Sequence, residues 1–191
     1  GQVNIAAIGA FDRIADYYLG NVALPPAYYG GKTVTLTNGV SIPLLGLGTW
    51  QLNGDTCYDA VISALKHGHR LIDSAEAYGN EADVGNALAD AIRDGIVTRA
   101  EVFVATKVSD ERNMGYEGVK SLVAAQLERL RVDYIDLYML HSPVQDKAKQ
   151  ADTWRALEEL YEAGKIRALG VSNFDVPELE HLIGAAKIVP H

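Results

Sequence analysis

The chain has 191 residues, 48% hydrophobic and 22% charged, with 17 Lys and Arg against 25 Asp and Glu and a formal net charge of −8. That length suits a single core, and the acidic balance argues against a nucleic-acid partner, which needs a basic stripe to neutralise phosphates. Cys57 is the single cysteine, so an intrachain disulfide is excluded and a reducing compartment is expected. No apolar run nears the ~20 residues that cross a bilayer, and no transmembrane segment is expected.

Residues 1–31 differ in texture from the rest, with Tyr17, Tyr18, Tyr28 and Tyr29 in pairs, Pro25-Pro26, and a Gly30-Gly31 break. They read as an N-terminal extension carrying a short amphipathic helix near Phe11–Leu19, and as a candidate docking segment for a protein partner. The chain starts with Gly1 and not Met. The expected location is cytoplasmic, with an organelle interior after removal of a targeting peptide as the alternative.

From Thr33 the pattern is regular. Val34 and Leu36, then Val40 and Ile42, alternate around Asn38-Gly39, a strong hairpin signal. An apolar strand over Leu44–Leu47 precedes a helix over Thr56–His67, and Arg70–Asp73 is the next strand. Asn80 is placed to cap the following helix, with Asp83 three residues on and Val84, Ala87, Leu88 and Ala91 at helical spacing. Val102–Ala105 is a strand, and Val119, Leu122, Val123, Gln126, Leu127 and Leu130 mark a helical stripe. Tyr134–Leu140 is a strand, Asp152–Ala163 a helix stopped by Gly164, and Ile166–Val171 a strand. Asp175-Val176-Pro177-Glu178 opens a last helix, with Asp as cap, Pro early and Glu at the third position.

Five strand-then-helix units in succession call for a parallel sheet with helices outside it. An open doubly wound sheet and a (β/α) barrel both fit. The first usually carries G-x-G-x-x-G after its first strand, and Gly46-Leu47-Gly48-Thr49-Trp50-Gln51 lacks the third glycine. Gly31-Lys32-Thr33 ends like a phosphate loop, but Pro26 stands where its first glycine belongs and a strand follows. The barrel is favoured by the polar residues at the strand ends, where barrel active sites are built. Thr49 and Trp50 follow the first strand, Asp73 and Tyr78 the second, Lys107 the third, His141 the fourth, and Ser172-Asn173 the fifth.

Each of these residues has a structural reading of its own. Asp73 could cap a turn, Tyr78 could pack with a satisfied hydroxyl, Lys107 could be a solvated strand end, and His141 a structural histidine. Their joint placement argues for one site. His67 and His69, in a helix-to-strand loop at the opposite end, read as surface. A phenol has a reference pKa near 10, which a nearby ammonium lowers by stabilising the phenolate. A buried lysine keeps its charge when a carboxylate holds it, and a neutral histidine can donate a hydrogen bond to a substrate oxygen. The set reads as a general acid tuned to protonate an oxygen. With no primed nucleophile and no metal-ligand cluster, protonation of a carbonyl oxygen calls for a hydride-delivering nicotinamide.

These residues carry a resemblance. Leu44–Gln51 (LLGLGTWQ), Asp73–Glu81 (DSAEAYGNE), Val104–Val108 (VATKV), Asp133–Pro143 (DYIDLYMLHSP) and Gly164–Phe174 (GKIRALGVSNF) resemble, in order, the motifs of the aldo-keto reductases. The resemblance implies a parallel (β/α)8 TIM barrel, of which residues 32–191 supply the N-terminal hairpin and about five βα units. It implies NADPH-dependent reduction of a small aldehyde or ketone. By motif position Tyr78 resembles the proton donor, Asp73 and Lys107 its tuning pair, and His141 the residue that orients the carbonyl. Gly48, Thr49, Trp50, Asp73, Ser172 and Asn173 resemble cofactor contacts, with Trp50 and His141 also facing substrate; no metal is implied.

The chain departs from that pattern in three places. Val108-Ser109-Asp110 stands where many relatives carry an aromatic residue, residues 1–31 have no counterpart, and Lys187–His191 ends where a sixth strand should begin. Five units cannot close an eight-stranded barrel, and the last strand's edge would expose unpaired backbone. The expectation is a trimmed portion of a longer reductase, inactive by itself. The alternative is a non-catalytic docking subunit on a truncated barrel, meeting a partner through residues 1–31 or the open barrel edge.

Overall fold

The structure, a computed structural model, describes residues 32–191. The helix expected near Phe11–Leu19 and the docking role of residues 1–31 lie outside the described residues.

The first element among the described residues is the expected hairpin, β1 (Thr33–Thr35) against β2 (Ser41–Pro43), antiparallel with Thr33 opposite Pro43. Gly39 takes φ +86° at the turn, a conformation that favours glycine. The Asn38 carboxamide oxygen accepts from the Val40 amide at 3.1 Å, and its nitrogen donates to the Arg167 carbonyl at 2.9 Å. One side chain therefore shapes the turn and anchors the hairpin to a distant segment.

Strand and helix then alternate: β3 (Leu47–Gly48), α1 (Asp55–Lys66), β4 (Leu71–Asp73), α2 (Glu81–Arg93), β5 (Phe103–Val108), α3 (Tyr116–Leu130), β6 (Leu137–Leu140), α4 (Lys147–Glu162), β7 (Leu169–Val171) and α5 (Val176–Ala185). The five strands β3 to β7 are parallel and lie side by side in chain order. A doubly wound sheet reverses its strand order at a switch point; this one does not, as expected for a portion of a TIM barrel.

Several boundaries move from those the sequence suggests. The strand expected at Leu44–Leu47 forms at Leu47–Gly48, and the one expected over Tyr134–Leu140 begins at Leu137, preceded by an isolated Ile135–Ile166 bridge. The Asp136 carboxylate accepts from the Val104 amide at 3.0 Å, taking a donor that a ladder carbonyl would otherwise use. The strand expected over Ile166–Val171 likewise begins later, at Leu169. Helix α4 starts at Lys147 and not at Asp152, because Asp146 caps it by accepting from the Ala148 and Lys149 amides. Its first turn is polar and so escapes an apolar periodicity. The Asp175–Glu178 capping box of α5 forms as expected.

Residues of one strand alternate between two environments, as the pleat requires. Ile72, Val104, Val108, Tyr138, Leu140 and Leu169 pack under the helices in the main core. Leu71, Phe103 and Ala105 face the other way, with Leu137, Met139 and the hairpin residues Val40 and Ile42 against them. The hairpin thus covers one end of the inner face. At the other end the same inward rows run on: Leu71 to Asp73, Phe103 and Ala105 to Lys107, and Leu137 and Met139 to His141. Period two alone brings three polar side chains to one mouth.

Candidate active site

Lys107 occupies the fifth position of β5 and is 5% exposed. Its ammonium donates to Asp73 Oδ1 at 2.7 Å, Asp73 Oδ2 at 2.8 Å and the Ser74 carbonyl at 2.8 Å. An ammonium has three protons, and all three are placed. The Asp73 side chain, at the end of β4, is 31% exposed. The pair therefore sits where the inner face opens.

Tyr78 closes a short 3₁₀ turn, Glu76–Tyr78, and Gly79 follows it at φ +68°. The Lys107 ammonium lies 5.1 Å from the Tyr78 ring centroid. The Tyr78 and His141 rings meet edge to face, with centroids 5.7 Å apart and planes at 77°. His141 Nδ1 is 2.6 Å from the Ser109 hydroxyl. The structure therefore brings Asp73, Tyr78, Lys107 and His141 together from four separate segments.

Burial, and then the Asp73 carboxylate, hold the Tyr78 phenol above its ordinary value. The net direction is opposite to the one expected from Lys107, whose ammonium is hydrogen-bonded to Asp73 and Ser74 and stands beside the ring. Tyr78 is accordingly a fully protonated phenol at neutral pH. His141 is pushed below the ordinary histidine value, by burial first and by Lys107 second, with Asp73 opposing. Its ring is neutral at pH 7.

The other residues singled out from the sequence are placed less evenly. Thr49 is fully buried, and both its amide and its hydroxyl donate to the Asp73 carbonyl at 3.0 Å. Its hydroxyl proton is thus committed to holding the Asp73 backbone. Trp50 is 63% exposed beside it, and Gly48 is open, with no neighbour near the position of a side-chain carbon. Asn173, with φ +59°, donates from its carboxamide to the His141 carbonyl at 2.7 Å and the Ser172 hydroxyl at 3.1 Å. That leaves the Asn173 carboxamide oxygen and the Ser172 hydroxyl proton for a ligand.

Asn80 immediately precedes α2 but makes no side-chain capping bond. Its carboxamide instead donates to the Thr49 and Leu52 carbonyls, each at 2.7 Å, and accepts from the Ser74 hydroxyl at 2.8 Å. It ties the loop after β3 to the loop after β4. His67 and His69 are half-buried, not on the surface, and burial lowers the His69 value. Cys57 is buried and its thiol is pushed up to about 11, by burial and then by Asp83, which leaves it inert as a nucleophile.

Two further residues belong to the constellation. Glu76 accepts from the Ser109 amide at 2.7 Å and the Asp110 amide at 2.9 Å, and from the Asn113 carboxamide. It joins the Tyr78 turn to the segment after β5. Ser109 supplies the hydroxyl on His141. Neither carried a signal in the sequence, since serine and glutamate are ordinary loop residues.

The family model described as "Aldo/keto reductase family" matches residues 44–190. A glyoxal reductase of Bacillus subtilis (strain 168) is 48% identical over 159 residues, which are 83% of this chain and 55% of that protein. Among solved structures, an aldo/keto reductase from Brucella melitensis matches with TM-score 0.78 and 40% identity, over 83% of this chain and 60% of that one. A Bombyx mori aldo-keto reductase in complex with NADP matches with TM-score 0.76 and 32% identity, over 83% and 56%. The chain spans about half the length of the curated relatives it matches.

Proposed function

The chain belongs to the aldo/keto reductase family, and from that premise we propose that it carries the proton-delivering part of an NADPH-dependent reductase of small aldehydes or ketones. The observation that carries this reading is the single cluster at the strand ends. Lys107 is bound to both Asp73 oxygens, and Tyr78 stands between that pair and a neutral His141.

NADPH, when bound, supplies the hydride. The donor set at the end of β7 fits the carboxamide of a nicotinamide: the Asn173 carboxamide oxygen would accept from its N–H, and the Ser172 hydroxyl would donate to its oxygen. Trp50 is exposed and Gly48 open, so both are free to meet the cofactor.

Tyr78 is the proton donor. Its raised value keeps it protonated on arrival of the substrate, and the transfer is driven by the charge that gathers on the carbonyl oxygen. Asp73 keeps Lys107 charged in its buried position, so an ammonium stands 5.1 Å from the ring centroid as phenolate charge forms, against the burial and the Asp73 charge that hold the resting value up. His141, donating from the ring nitrogen that carries its proton, orients the carbonyl oxygen toward Tyr78. Trp50 forms the outer wall of the substrate site. The substrate class follows from the family and from such relatives as the B. subtilis glyoxal reductase.

The test is loss of NADPH absorbance with a panel of small aldehydes and ketones, using the protein that carries this chain. Turnover of at least one carbonyl compound is expected. No turnover across the panel, with the cofactor shown to bind, would sink the reading.

A further inference from the structure

We propose that Ser109 is a positioning residue that sets the tautomer of His141, donating its hydroxyl proton to Nδ1 and leaving the proton on Nε2. The contact is short, 2.6 Å between Ser109 Oγ and Nδ1. Among the described residues the Ser109 hydroxyl has no second hydrogen-bond partner. If Nδ1 carried the proton, the serine hydroxyl would only accept, and its own proton would have no acceptor among the described residues. Donation into Nδ1 satisfies both groups and makes Nε2 a donor.

The serine is itself held. Its amide and that of Asp110 donate to one oxygen of Glu76, at 2.7 and 2.9 Å, and Asn113 donates to the other. Glu76 and Tyr78 begin and end the same 3₁₀ turn. One carboxylate therefore fixes the segment that addresses His141 relative to the turn that carries Tyr78. Ser109 immediately follows the end of β5, two residues past Lys107, and its hydroxyl reaches His141 at the end of β6. The Asn173 carboxamide, donating to the His141 carbonyl at 2.7 Å, holds the histidine backbone from the other side.

The inference rests on the proposed function only for its consequence: an Nε2–H is what His141 needs in order to donate to a carbonyl oxygen. The tautomer itself is measured without turnover. Long-range 1H–15N correlation spectra of the histidine rings, taken at about pH 8, above the ordinary histidine value, distinguish the two neutral forms. The wild-type protein is expected to show His141 protonated at Nε2. Ser109→Ala is expected to give a mixture of tautomers and a roughly 2–10-fold loss in kcat/KM, the range of one hydrogen bond. Ser109→Thr, which keeps the hydroxyl, is expected to restore both. A wild-type His141 protonated at Nδ1 overturns the proposal, as does an unchanged tautomer in Ser109→Ala. If the spectra come out as expected but His141→Gln keeps full activity, the tautomer assignment stands and the functional reading of His141 fails instead.

Discussion

Lys107 can be 5% exposed and still charged because each of its protons has an acceptor. Lys107→Met removes those donors and leaves a partly exposed carboxylate and the Ser74 carbonyl unpaired. A loss of about 1–3 kcal/mol in unfolding free energy is expected from urea denaturation; an unchanged midpoint would show that the pair contributes nothing net. His141 gives a second expectation at this scale. Its folded value is lowered, so the unfolded chain takes up its proton first as pH falls. The contribution is complete above the ordinary value of about 6.5 and is lost as pH falls through the folded value. Between about pH 8 and pH 5 the wild type should therefore lose more stability than His141→Gln, with the other titrating groups common to both. Equal losses would place the ring in a solvent-like setting. Asp73, Tyr78, Lys107 and His141 were legible in the sequence because lysine and histidine are unusual after apolar strands. Ser109 and Glu76 were not, since serine and glutamate are ordinary loop residues and only three-dimensional contacts reveal their roles. The direction of the Tyr78 shift was also hidden: proximity to a lysine was legible, but where that lysine spends its protons was not.

Between elements, two contacts fix how α2, α3 and β5 pack. Gly85 in α2 lies against the backbone of α3, where a side-chain carbon would stand 2.1 Å from the Arg129 carbonyl oxygen. Gly85→Ala must push the helices apart, at a cost of about 1–3 kcal/mol; a crystal structure with unmoved helices would contradict this. Glu81, at the start of α2, is 2% exposed. It accepts from Thr106 at 2.5 Å, Gln126 at 2.8 Å and twice from Arg129, at 3.0 and 2.7 Å, while the Gln126 carboxamide oxygen accepts from the Tyr138 hydroxyl at 2.6 Å. Glu81→Ala leaves buried donors and one arginine without their acceptor, and a loss of about 3–5 kcal/mol is expected in thermal or urea unfolding. At this scale the sequence showed the existence and order of the described strands and α-helices, through periods of 2 and 3.6, but not their ends, and not the 3₁₀ turn that carries Tyr78. The start of α4 was concealed by a polar first turn, and the start of β6 by Asp136, whose side chain takes a ladder donor. Asn80 sat at a capping position, yet its bonds run to other loops.

Across the whole molecule, the parallel strands follow one another without reversal, and the hairpin residues Val40 and Ile42 cover the inner face at one end. The polar cluster stands at the other. This polarity separates stability from chemistry, as in other barrels of this kind. Near the hairpin end, Asp136 accepts from Arg99 at 2.8 Å and Arg167 at 2.9 Å, a purely structural pairing of charges. The barrel was legible because five strand ends each carried a polar residue, which strand periodicity alone would not produce. The central claim is that Tyr78 delivers the proton in carbonyl reduction. It is tested most directly by kcat/KM for NADPH-dependent aldehyde reduction in the protein carrying this chain, wild type against Tyr78→Phe. The account predicts a fall of about 10²–10⁴-fold, with the fold retained; activity equal to wild type would contradict it.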